Sequence, residues 1–251
     1  MSLIIHCPHC HGEFTNEPLE EILNPTLTVE RRYTERGSWQ EIADLIDRGE
    51  IHRQLKVGDA ISCDLKDGSK ATIDVLDINA YGTDEVIFGF RHSFGDYQMN
   101  GRNTNAGGFP QSKMFQHLEG DIFPKLPDDL RAVITPRVIQ QNIRGDSFGT
   151  TAHLWLPSLY EVFGEEYREY CSDVGEKHYQ YFKNPANRIK FERDGKYSIY
   201  WWLRSPNVGN STTFWYVNNY GNTTNNNASN SNGVCPCFSI CKRSIQTLEA
   251  R

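Results

Sequence analysis

Hydrophobic and polar positions change rhythm along this chain, and each rhythm predicts an element. Around Trp39, Ile42, Ala43 and Ile46 the apolar residues recur at helical spacing and share one face. Ser38 and Glu41 precede them as a Ser-x-x-Glu capping box, and Gly49 is placed to end the helix. Residues 59–65 and 70–78 alternate apolar and polar around the turn Lys66-Asp67-Gly68, which predicts a hairpin, with a third strand over Val86–Phe90. From His92 to Gln111 the chain is rich in Gly, Asn and Phe and reads as a long irregular loop. Short helices follow Ser112, carrying Met114, Phe115 and Leu118, and Asp128, carrying Leu130, Val133 and Ile134. His153–Pro157 reads as a short apolar strand. Ser158 and Glu161 form a second capping box whose helix ends near Gly164. Residues 165–198 read as loops with aromatic stacking groups, and Ile199–Leu203 as a buried strand leading to Arg204-Ser205-Pro206.

After that strand no simple rhythm holds. Between Asn207 and Asn232 stand ten Asn, four Thr and three Ser, and from Ser205 to Cys241 there is no charged side chain. A disordered Asn-rich tract is one reading of such composition. Phe214-Trp215-Tyr216-Val217 inside it, and Val234, Phe238 and Ile240 after it, give it a folded apolar frame instead. Asn, Ser, Thr and Tyr supply donors, acceptors and contact area without fixed charge, as binding loops do. The stretch has no Asp, Glu, His, Lys or Arg for proton transfer and leaves only Cys235, Cys237 and Cys241 as reactive candidates, so its composition points to recognition rather than catalysis.

Charge and cysteine content narrow the classes further. The 251 residues carry a net charge of -6, which disfavours a nucleic-acid partner. No apolar run approaches the about 18 residues needed to cross a bilayer, and the N-terminus lacks a basic region before its short apolar segment, so a cytoplasmic or virion-associated location without a signal peptide is expected. Seven Cys without a secretion signal are expected to be reduced. Cys7-Pro8-His9-Cys10, flanked by His6 and His11, is half of a zinc knuckle: Cys7 and Cys10 would hold zinc only if a His or another chain completed the ligand set. The aspartates at 59, 64, 67, 74, 77 and 84 are expected at solvated strand edges, and His92 with Asp96 in a structural hydrogen bond.

Trp201-Trp202-Leu203-Arg204-Ser205-Pro206, together with Gly233-Val234-x-Pro236-x-Phe238-x-Ile240, resembles the WWLRSP-signature proteins of gut Firmicutes and their prophages, which look like variable proteins of diversity-generating retroelements. Gly58-Asp59, Leu126-Pro127-x-x-Leu130 and Leu154–Ser158 fit the same domain. The resemblance implies an α+β, C-type-lectin-like fold of mixed, mostly antiparallel sheets with short helices and long irregular loops. It would span 30–241, with the variable region at about 205–240, an N-terminal tail over 1–29 and a C-terminal tail over 242–251. In such systems a reverse transcriptase errs at template adenines, and the copy replaces the end of the gene. Asn codons of the AAC or AAT type are rich in adenine, and their substitution at adenine readily yields Ser, Thr and Tyr and cannot yield a stop.

Carried onto this chain, the frame is Trp201–Pro206, Phe214, Val217, Gly221, Ala228, Gly233, Val234, Pro236, Phe238 and Ile240. The displayed, ligand-binding set is Val208, Asn210, Thr212, Thr213, Trp215, Tyr216, Asn218, Asn219, Tyr220, Asn222, Thr223, Thr224, Asn225, Asn226, Asn227, Asn230 and Asn232. The partner implied is an unidentified macromolecule, protein or cell-surface. No cofactor is required, and the carboxylate-rich calcium motif of true C-type lectins is absent. Two alternatives stay open. One is a phage tail or capsid decoration protein attached through the Cys7/Cys10 knuckle. The other is a thiol-dependent enzyme of the formylglycine-generating type, for which Cys235 and Cys237 are the only candidates.

Overall fold

The computed structural model describes residues 4–6, 13–15, 38–82 and 84–243. Cys7 and Cys10, and with them the zinc expectation, lie outside the described residues. Near the N-terminus β1 (Ile4–His6) pairs antiparallel with β2 (Glu13–Thr15). The remainder is mixed α+β, with a four-stranded and a five-stranded sheet, both mostly antiparallel, two two-stranded sheets and a few short helices. Among the described residues no helix is long and apolar enough to cross a membrane.

The first sheet has the order β15-β5-β4-β3, with β3 (Ala60–Asp64), β4 (Lys70–Ile78), β5 (Glu85–Phe90) and β15 (Cys237–Cys241). The predicted hairpin and third strand are these elements, and Gly68 takes the left-handed conformation its turn requires (φ +80°). Helix α1 (Trp39–Asp47) buries the predicted face, with Trp39 edge-on to Phe88 and Phe238 at centroid distances of 5.8 and 6.0 Å. Phe88 and Phe238 stack at 5.1 Å, so the last strand of the domain is tied into the core built by the first half of the chain. The capping box at the start of α1 does not form: Ser38 is the N-cap, but its side chain makes no capping bond. Asp74 corrects a second expectation. It lies in the fully buried middle of β4, where Arg91 Nη2 (2.6 Å) and the Tyr181 hydroxyl (2.9 Å) satisfy it.

The irregular segment after β5 contains β6 (Asp96–Gln98), and α2 (Lys113–His117) is capped by Ser112 as predicted. Pro127 rather than Asp128 occupies the N-cap of α3 (Asp128–Val133), leaving Asp128 to pair with Lys66 and Arg131. A hairpin that the sequence pattern did not predict, β7 (Arg137–Ile143) and β8 (Asp146–Ala152), turns at Arg144-Gly145, both at positive φ. Trp155 makes only a single bridge to Cys237 rather than a strand. The second capping box is present in full at α4 (Leu159–Phe163). The segment after α4 winds as short 3-10 turns whose Tyr179, Tyr181 and Phe182 are core residues, then forms the short pair β9 (Lys190–Phe191) and β10 (Ser198–Ile199).

The second sheet has the order β13-β12-β11-β14-β6, with β11 (Trp201–Pro206), β12 (Thr213–Val217), β13 (Thr223–Asn227) and β14 (Ser231–Gly233). Only the β11–β14 contact is parallel. The strand β11 is buried along its whole length, and its register against β12 shifts between Trp202 and Pro206. In that irregular stretch Arg204 N–H donates instead to Pro157 O at 3.0 Å.

Candidate functional site

The uncharged stretch runs from the end of β11 through β12, β13 and β14, with β12 and β14 flanking the buried central strand β11, and ends in β15 of the first sheet. Every frame residue is buried: Trp201 to Pro206, Phe214, Val217, Gly221, Ala228, Gly233, Val234, Pro236, Phe238 and Ile240. Of the displayed set, Val208, Asn210, Tyr220, Asn222, Thr224, Asn225, Asn227 and Asn230 are exposed. Thr212, Trp215, Tyr216, Asn218, Asn219, Thr223 and Asn226 are half-buried. Thr213 and Asn232 are buried, a correction to their assignment as displayed. Strand alternation gives the reason for Thr213, which shares a face with Trp215 and the core residue Val217. Asn232 sits opposite Tyr97 within the β14–β6 pair.

Several asparagines shape the surface as well as line it. Asn210 Oδ1 accepts from Thr212 N–H, and Asn218 Oδ1 accepts from the N–H groups of Tyr220 and Asn222. These are Asx turns, in which a short amide stands in for a backbone carbonyl. The half-buried aromatics are held from the side: Trp215 packs on Tyr170 at 5.9 Å, and Tyr216 lies edge-on to Tyr200 and Trp202 at 5.7 and 6.1 Å.

The loop between β11 and β12 is anchored by a residue outside the uncharged stretch. Buried Asn105 donates through Nδ2 to the carbonyls of Asn207, Asn210 and Thr213, at 3.0, 2.9 and 2.9 Å. Its own N–H donates to Ser211 O at 2.8 Å, and Arg144 Nη2 donates to its Oδ1 at 2.9 Å. Asn103 similarly accepts from Ser229 N–H and Oγ, and Asn100 N–H donates to Ala228 O. The contacts from Asn105 and Asn100 are to main chain of 207–228, so they do not depend on which side chains that segment carries. No local sequence signal marks Asn105, since its partners lie about a hundred residues away.

Beneath the frame lies a charge cluster that sequence patterning also missed. Arg204 is fully buried and donates through Nη1 to Glu161 Oε2 (2.6 Å) and Leu156 O (2.8 Å), and through Nε to Asp173 Oδ1 (2.9 Å). Its Nη2 lies 2.6 Å from Glu176 Oε1, an ion pair without hydrogen-bond alignment. Arg137 approaches Glu161 and Glu176 at 3.3 and 3.5 Å, and the Tyr179 hydroxyl donates to Glu161 at 2.6 Å. Burial alone would raise both glutamates. For Glu161 the combined pull of Arg204, Glu176 and Arg137 outweighs it and holds that carboxyl low. Glu176 is pushed well above the ordinary carboxylate range, by burial first and by its carboxylate neighbour Glu161. One proton shared among the three carboxyls makes this buried set neutral against the two guanidiniums, and the raised pKa favours Glu176 as its holder.

The remaining chemical candidates are placed apart. Cys235 and Cys237 are both buried; burial pushes the Cys235 thiol up to about 12 and the Cys237 thiol higher still. A thiolate nucleophile or soft-metal ligand is disfavoured at such positions. His92 makes no hydrogen bond to Asp96, and burial followed by Arg91 lowers its pKa. Among the described residues no group of three or more His, Cys, Asp or Glu is arranged to hold a metal ion.

No curated protein and no solved structure matches this chain. Residues 82–242, from the start of β5 through β15 and so including the whole uncharged surface, match the model of a family described as a domain of unknown function, DUF6273, and the chain belongs to that family.

Proposed function

We propose that this chain is a non-enzymatic binding protein whose exposed, uncharged C-terminal surface recognises a macromolecular ligand and is diversified by retroelement mutagenesis. The scaffold in this proposal is a C-type-lectin-like variant of the α+β architecture. One observation carries the reading: within residues 205–241 the apolar and Gly/Pro frame is buried throughout, while eight displayed positions, Val208 and seven polar or aromatic residues, are exposed on the β11–β12 loop, on β13 and on its flanking turns. A surface meant to vary needs that separation, because substitutions at exposed positions away from special contacts usually change stability by within about 0.5 kcal/mol. The backbone anchors from Asn105 and Asn100 support the same reading. Burial of Cys235 and Cys237, with their raised thiols, counts against the thiol-enzyme alternative.

Reading the DNA beside the gene tests this function. The expected result is a reverse-transcriptase gene and a repeat nearly identical to the codons of residues 205–240, differing at template adenines. A locus with neither feature would remove diversification from the account.

A further inference from the structure

A cleft of about 320 Å³ opens at one end of the second sheet, lined by Asp96, Ser198, Ile199, Tyr200, Asn219, Ser231 and Asn232. Two of its amides are unsatisfied. Asn232 is 5% exposed, and its buried Nδ2 has no hydrogen-bond partner. Asn219 Oδ1 is buried and equally without one. Leaving a buried donor or acceptor unpaired typically costs about 1–3 kcal/mol, a cost that a bound group with matching polar atoms removes. Two such atoms in one cleft are unusual enough to ask what would satisfy both.

The lining gives the answer a sign and a shape. Asp96 is its single charged group. Asp96 is exposed and has no cation at ion-pair distance among the described residues, and the lining contains no Lys, Arg or His. Tyr200 is 50% exposed and its ring is braced edge-on by Tyr216 at 5.7 Å, which leaves an aromatic surface beside the carboxylate. Carboxylate, amide oxygen and aromatic face together match a planar cation, with a forked donor pattern for the oxygens and a flat face for the ring. Asn232 Nδ2 then remains as a donor for a carbonyl, which a peptide carries next to its side chain.

We infer that this cleft is an anchor pocket for an arginine side chain presented by a protein ligand, with Asp96 and Asn219 accepting from the guanidinium, Tyr200 stacking on it and Asn232 donating to a neighbouring main-chain carbonyl. Asp96, Ser198, Ile199 and Tyr200 lie outside the uncharged stretch. The pocket therefore pairs a constant half with Asn219, a member of the displayed set. The inference rests on the recognition reading above and names the partner chemistry of one part of that surface.

The experiment is a titration of the full chain, followed by NMR or by ligand soaking into crystals, with N-acetyl-arginine amide as the probe. The matched probes are the lysine and citrulline equivalents and a neutral methyl glycoside. Saturable binding in this cleft is expected in the order arginine, lysine, citrulline, with Asp96→Asn weakening the arginine probe about fivefold. Val138→Ala, at an exposed residue of β7 outside both the cleft and the displayed set, is expected to leave it unchanged. Absence of saturable arginine binding, equal binding of citrulline, or preference for the glycoside would each overturn the pocket assignment. Those results would leave the locus test of diversification untouched, so failure of one reading is separable from failure of the other.

Discussion

Removing the Asn105 amide should loosen the display loop without touching the loop's own sequence. In Asn105→Ala the three Nδ2 contacts to Asn207 O, Asn210 O and Thr213 O are lost, at 3.0, 2.9 and 2.9 Å in the native chain. The amide has two N–H groups for these three acceptors, so the loss amounts to about two hydrogen bonds at about 0.5–1.5 kcal/mol net each, a destabilisation of about 1–3 kcal/mol. The Arg144 contact adds little, since Arg144 is exposed and returns to water. For a domain of this size each kcal/mol lowers Tm by about 2–4 °C, giving a fall of about 2–12 °C. Urea denaturation of the full chain measures the free energy, and amide hydrogen exchange locates it. The loss is expected as faster exchange over 207–213, with β3–β5 unchanged. Asn105→Asp is the stricter variant: it preserves shape but sets a carboxylate against three carbonyls, and it should be at least as destabilising. A change below about 0.5 kcal/mol for Asn105→Ala, within ordinary surface variation, would refute the anchoring role.

Arg204→Met should destabilise by about 3–5 kcal/mol in the same denaturation assay, because it strips the buried carboxylates of Glu161 and Asp173 of their main cation; a loss under 1 kcal/mol would contradict the buried-cluster description. Glu176→Gln tests the sign of one titration. The folded pKa of Glu176 lies above its ordinary value of 4.5, so the native chain retains a proton that the unfolded chain releases, and this group's contribution is full below pH 4.5 and lost as pH rises through the folded value. The Gln variant keeps a neutral donor and should be as stable as the parent or more so at pH 8, with the difference shrinking toward pH 4.5; greater destabilisation at pH 8 than at pH 5 would reverse the assignment. Phe214→Ala should cost about 3–5 kcal/mol, whereas Asn225→Ser, on the exposed outer strand, should stay within about 0.5 kcal/mol by thermal unfolding; equal costs would erase the distinction between frame and display.

What the sequence made legible depended on how local each signal was. The face of α1, the hairpin β3–β4 and the Ser158/Glu161 capping box are encoded within a few residues, and each is present in the structure. The frame of the uncharged stretch was equally visible, because Phe214, Val217, Ala228 and Val234 interrupt polar text. Polar residues turned inward were not visible. The hairpin β7–β8 escaped because Gln141 occupies an inward position between Ile139 and Ile143, where its amide donates to Asp173 and to Arg204 O. Asp74 was misread for the same reason: a charged residue on an alternating strand reads as solvent-facing unless its distant partners, here Arg91 and Tyr181, are known. Asn105, the Arg204 cluster and the cleft beside Asn232 are all assembled across long sequence separations, which periodicity does not report.

The central claim is that one defined set of side chains varies over a constant frame. Deep sequencing of the gene's 3′ end across a population of its host tests it most directly. The account predicts substitutions concentrated at adenines of the codons for Asn210, Tyr220, Asn222, Thr224, Asn225, Asn227 and Asn230, with none at Trp201, Trp202, Phe214, Gly233 or Phe238. Variation that is absent, or spread evenly over frame and display, would contradict it.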